Sequence, residues 1–132
     1  MRVSDLMHPH VNSVLRDQLL PEVVETMADL HVSALAVVDS HNRIIGVIST
    51  ADILAAQAEY ATGVNNWEQR TVGDVMSSPA LTIPPDATVG EAVQRLLYTD
   101  VHRLFVEEHG FPVGVISQTD LVRTLAAHRL DV

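Results

Sequence analysis

The stretch Gly46–Leu54, GVISTADIL, returns at Gly114–Val122 as GVISQTDLV. A motif that recurs within a chain this short demands a repeated supersecondary unit, and that demand restricts the fold before composition is considered. In both copies a Gly precedes a β-branched pair, then a Ser, two further residues, an Asp and an apolar residue. Val47-Ile48 and Val115-Ile116 predict a buried strand running into the first turn of a helix. Ser49 and Ser117 stand where an N-cap hydroxyl takes an orphan backbone N–H. Asp52 and Asp120 fall in the first turn, where the helix dipole favours a carboxylate.

The repeat extends well beyond this motif. Val3-Ser-Asp-Leu-Met7 matches Val72-Gly-Asp-Val-Met76, an offset of 69 residues. At the same offset Asp17 meets Asp86, Glu22 meets Glu91, Leu35 meets Leu104 and Val37 meets Val106. The GVIS segments lie 68 apart, so one residue is lost in the turn, Asp39–Arg43 in one half and Glu108–Gly110 in the other. Turns tolerate such a loss and strands do not.

Each half reads as a short cap, an extended piece, a helix, a hairpin and a second helix. The extended pieces are Asn12–Val14 and Leu81–Ile83. Pro21 suits the first position of a helix carrying Val23, Val24, Met27 and Leu30. Its counterpart carries Val89, Ala92, Val93, Leu96 and Leu97, with Asp86 and Thr88 as caps. The hairpins span Ala34–Val38 with Ile44–Ile48, and Leu104–Glu107 with Val113–Ile116. The second helices run over 51–60 and 119–127. This β-α-β-β-α unit is marginal alone, so the expected fold is α/β (α+β), two repeats packed sheet to sheet as a pseudo-twofold pair. The expected boundaries are 1–60 for the first repeat, 61–70 for a linker and 71–132 for the second repeat. The polar stretch Gln57–Arg70 departs from the repeat, with Trp67 as its packing anchor.

Charge excludes one class of function. The chain carries 17 acidic and 8 basic residues, a net charge of −9, and every basic residue is Arg rather than Lys. Scattered Arg on an acidic chain does not displace counterions from nucleic-acid phosphates. There is no Cys for disulfide or thiolate chemistry. No apolar run approaches the roughly 20 residues of a membrane span, so a cytoplasmic domain without membrane partners is expected. His8-Pro9-His10 lacks the spacing of a metal site and reads as an exposed pair. Ser, His and Asp occur without an activated-nucleophile context, so neither a metal site nor enzyme activity is expected.

With these residues laid out, the chain resembles a tandem pair of cystathionine β-synthase (CBS) domains, a Bateman module. The DLM and DVM openings and the two G-h-h-S-x-x-D-h segments carry the resemblance. It implies a stand-alone regulatory or sensor module that binds an adenosine-containing ligand (AMP, ADP, ATP or S-adenosylmethionine) in the cleft between the repeats. Carried over residue by residue, Asp52 and Asp120 hold ribose, Ser49 and Ser117 face phosphate, and Ser13-Val14 and Thr82-Ile83-Pro84 line adenine. His102-Arg103-Leu104 resembles the His-Arg-hydrophobic run with which energy-sensing kinase γ subunits clamp phosphate, and Arg suits that role. Ser33-Ala34-Leu35 match those positions without charge, so the resemblance implies two unequal sites, and Phe105 is placed to crowd a ligand. A homodimer through helix faces is expected, with Ala51-Ala55-Ala56 and Leu125-Ala126-Ala127 suited to close packing, together with a regulated partner protein.

Each assignment has a plainer alternative. Asp52 and Asp120 serve equally as helix-start carboxylates, and Arg103 would be satisfied by Glu107 or Asp100. The competing function is a ligand-free scaffold that dimerises or docks onto an enzyme or transporter.

Overall fold

The β-branched runs become strands and the amphipathic runs helices in the computed structural model, which describes residues 1–61, 66–99 and 101–128. In chain order they are α1 (Val3–Leu6), β1 (Ser13–Leu15), α2 (Leu20–Leu30), β2 (Ala34–Val38), β3 (Ile44–Ser49), α3 (Thr50–Ala61), a 3₁₀ turn (Trp67–Gln69), α4 (Val72–Val75), β4 (Thr82–Ile83), α5 (Val89–Thr99), β5 (Arg103–Glu108), β6 (Phe111–Ser117) and α6 (Gln118–His128). The strands form two three-stranded sheets, β1-β2-β3 and β4-β5-β6, each with one parallel and one antiparallel pairing. The expected α+β fold class is therefore found. No helix among the described residues is long and apolar enough to cross a membrane.

Local chemistry explains the boundaries, including those that differ from expectation. Pro21 sits second in α2, behind Leu20, where its missing N–H is still an orphan position. Thr88 caps α5 as expected, its hydroxyl accepting from Glu91 N at 3.1 Å. The second hairpin turn is tighter than the sequence suggests. His109 and Gly110 both have positive φ, 55° and 89°, the pattern of a two-residue turn matched to strand twist, so Phe111-Pro112 belong to β6. The front of the polar stretch, Gln57–Ala61, is helix rather than linker, while 62–65 lie outside the described residues. Trp67 packs half-buried on a core, as an anchor should.

The chain divides into two compact units that are not cut at the boundaries of the repeat. The first is Asn12–Ala80; the second joins Met1–Val11 to Leu81–Val132. In the first unit Val14, Leu35, Val37 and Ile48 of the sheet pack against Leu20, Val23 and Met27 of α2, Ile53 and Ala56 of α3, and Val72 of α4. In the second, Ile83, Leu104, Val106 and Ile116 pack against Ala92 and Leu96 of α5, Leu121 of α6 and Val3 of α1. Most core positions match at the offsets of the repeat, Leu20, Ala56 and Ala87 being the exceptions, but the caps are exchanged: α4 closes the first unit and α1 the second.

The exchange explains the glycine that opens each repeated motif. His8 and Val115 form an antiparallel bridge with both backbone hydrogen bonds at 2.9 Å, and Val47 and Ser77 pair likewise at 3.0 and 2.9 Å. A Cβ on Gly46 would stand 2.7 Å from Ser77 O and 2.9 Å from Met76 Sδ. One on Gly114 would stand 2.9 Å from His8 O and run into Met7 Sδ. The methionines of the DLM and DVM openings thus lie on the glycines of the GVIS motifs, and a side chain there would collide with backbone.

Candidate functional site

Sheet register gathers most of the proposed binding residues at one end of each sheet. In the first unit Ser13 lies opposite Ala36 and Ala34 opposite Ser49, so the start of β1, the start of β2 and the end of β3 share an end. In the second unit Thr82 pairs with Phe105 and Arg103 with Ser117, which assembles the same end from β4, β5 and β6. Thr50 N donates to Ser33 O and Gln118 N to His102 O, each at 2.9 Å, tying the two strand-to-helix turns to equivalent carbonyls. Val14 and Ile83 are core residues, so what they offer a ligand is backbone. Pro84 follows β4, away from this end, and is exposed.

Each Ser-x-x-Asp segment closes as a reciprocal cap. Asp52 Oδ2 accepts from Ser49 N at 2.8 Å and from the Ser49 hydroxyl at 3.0 Å, while Asp52 N donates to Ser49 Oγ at 3.3 Å. Asp120 Oδ2 accepts from Ser117 N at 2.9 Å, and Asp120 N donates to Ser117 Oγ at 3.1 Å. These bonds satisfy two orphan donors per helix and hold each carboxylate at the strand-to-helix junction.

The turns diverge at their second oxygen. Asp120 Oδ1 lies 2.9 Å from His8 Nε2, whereas the bonds to Asp52 among the described residues fall on Oδ2 alone. Burial works to raise the Asp120 carboxyl, but the backbone and hydroxyl of Ser117 and the hydrogen bond and charge of His8 outweigh it. The net result is a value below the ordinary 3.8. The group is therefore ionised near neutrality and Nε2 must donate. Thr124, buried at the position matching Ala56, returns its hydroxyl to Asp120 O at 2.9 Å.

Arg103 opens β5 half-buried, and its guanidinium has no hydrogen-bond or ion-pair partner among the described residues. Glu107, one of its two expected partners, instead accepts from the Thr82 hydroxyl at 2.8 Å; Asp100, the other, lies outside the described residues. His102 beside it is exposed, while Phe105 is buried at 4% exposure. Among the described residues no group of three or more His, Asp or Glu is arranged to hold a metal ion.

A cavity of about 570 Å³ opens at the other end of the first sheet, beside Arg16, Asp17, Asp39 and Asp74. None of the proposed binding residues borders it. Its three carboxylates against one guanidinium make it a poor place for a phosphate.

His8 is the residue that sequence reasoning missed. Its partner is 112 residues away, and only the crossed pairing of the DLM cap with β6 brings the two together. The joint recurrence of the capping Met and the motif Gly was the available signal.

A family model described as CBS domain matches residues 3–59 and 72–127. The chain is 31% identical over 121 residues to 5'-AMP-activated protein kinase subunit gamma-3 of Sus scrofa, covering 85% of this chain and 23% of that protein. It is 26% identical over 121 residues to inosine-5'-monophosphate dehydrogenase of Nitrosopumilus maritimus (strain SCM1), covering 91% and 23%. The chain thus spans about a quarter of the length of these curated relatives. Among solved structures it is similar to CBSX2 in complex with AMP, with a TM-score of 0.86, 25% identity and 98% of each chain covered. The CBS-pair protein CBSX2 from Arabidopsis thaliana gives a TM-score of 0.85 at 24% identity, over 99% and 98% of the two chains, a likeness of fold.

Proposed function

The chain belongs to the CBS domain family as a tandem pair, and from that premise we propose that it is a regulatory module binding an adenosine-containing ligand. In this reading Asp52 and Asp120 grip ribose hydroxyls, since an ionised carboxylate is a strong paired acceptor. Ser49 and Ser117, with the helix N-terminal N–H groups, face phosphate. Backbone around Ser13-Val14 and Thr82-Ile83 meets adenine, and His102 and Arg103 supply positive charge. The observation that carries the reading is Arg103: a half-buried guanidinium, unpartnered among the described residues, at the sheet end where Ser117 and Asp120 stand. A half-buried cation without an anion keeps part of the desolvation cost of burial, and a phosphate would offset it. So few cations favour AMP or ADP over ATP. The relative crystallised with AMP supports the ligand class.

A thermal-shift series with AMP, ADP, ATP and S-adenosylmethionine tests this. Nucleotide at a hundredfold excess over Kd should add roughly 2.7 kcal/mol of stability, and Arg103→Ala should remove most of that gain. No shift from any of the four overturns the reading in favour of a ligand-free scaffold.

The reading includes a homodimer. Ala51 and Ala55 on α3 are exposed beside Leu54, which is 64% exposed, a small-residue face suited to close helix packing. Ala56, grouped with them on sequence, is instead 2% exposed in the first core. Sedimentation at micromolar concentration should give twice the chain mass; a monomer overturns the dimer.

A further inference from the structure

We propose that His8 is an internal competitor for the Asp120 carboxylate, so that a nucleoside reaches that carboxylate only by displacing the imidazole. The inference rests on the assignment of Asp120 to ribose made above and adds to it a residue that sets the two turns apart.

The geometry has three parts. The Asp120 side chain is only 10% exposed, with Oδ2 taken by Ser117 N and Oδ1 by His8 Nε2. Of these covers the Ser117 N–H is part of the helix cap and cannot leave without unwinding the turn. The imidazole can leave. It is 66% exposed, and its backbone is held independently by the two bonds to Val115, so swinging it out disturbs nothing in the sheet. His8 therefore covers the one oxygen that a ribose hydroxyl could reach at small cost.

The matching position in the first unit shows the alternative arrangement. Ser77 takes the place of His8, with the same backbone bridge, here to Val47. Its side chain is too short to act as an imidazole does, and Asp52 Oδ1 has no partner among the described residues. The repeat thus supplies two carboxylates of the same cap geometry, one covered and one open.

The test uses the full chain and AMP as probe, with Asp52→Asn to silence the other turn. Adding His8→Ser, which installs the residue found at position 77, should tighten AMP about tenfold by calorimetry, the order of one hydrogen bond to a charged acceptor. In the His8-containing protein, AMP should move the His8 imidazole NMR signals in the direction produced by Asp120→Asn. Unchanged or weaker AMP affinity in the His8→Ser protein overturns the competitor role. If Asp120→Asn still abolishes binding in that case, the ribose assignment stands without it. AMP that binds none of these proteins overturns both.

Discussion

At the Ser49 turn the capping carboxylate is held by one serine through a single oxygen; at the Ser117 turn a histidine 112 residues away takes the second oxygen as well. The two turns share strand, cap and helix, and their cores match at most positions. What separates them at the second carboxylate oxygen lies in the segments bridged to Val47 and Val115, where one chain position is Ser77 and the other His8. Duplication preserves the frame because packing punishes deviation at every core position. The exposed residues beside the carboxylates carry no such constraint, and difference accumulates there.

The strongest way to break this comparison is through the cores. Leu35→Ala and Leu104→Ala remove matching buried side chains, and each should cost about 2–5 kcal/mol in urea unfolding. A large inequality between them would show that the frames are less alike than the residue matching says. Smaller and more pointed are the carboxylates. Asp52→Ala and Asp120→Ala should each lose a cap worth about 1 kcal/mol, with the second costing more because His8 loses its acceptor. In a His8→Ser background the two losses should converge, and a persistent gap would trace the difference elsewhere.

The smallest expected effect is in acid. Asp120 has a folded value below its unfolded 3.8, because the Ser117 and His8 interactions exceed the upward push of burial. The stability it contributes is full above 3.8 and is lost as pH falls below that through the folded value. Melting temperature followed downward from pH 5 should therefore fall less steeply in Asp120→Asn than in the parent. Identical slopes would remove the link between this carboxylate and acid unfolding.

Much of the frame was legible because repetition is read twice. The 69-residue offset aligned Leu35 with Leu104 and Val37 with Val106, and all four are core. Ser49 and Ser117 were recognisable as caps because hydroxyl-to-N–H geometry is local. The exchanged caps were not legible. A repeat states which segments are alike, and VSDLM fits either sheet equally well on pattern alone. The same gap hid His8, whose acceptor became visible only once α1 was known to close the second unit. Glu107 illustrates the opposite error: it was a plausible partner for Arg103 by sequence, yet it faces Thr82, because the parallel pairing of β4 with β5 brings that hydroxyl nearer.

The crossed caps also dictate an order of assembly on the ribosome. The unit spanning Asn12–Ala80 has all its parts once residue 80 has emerged, whereas Met1–Val11, made before it, must wait for the strands after Leu81. The segment that carries α1 is thus buried later than the unit that follows it in the chain, and Val3 finds its core only when β4, β5 and β6 are present. A cut made between the sequence repeats would leave each fragment holding the closing piece that the other one needs.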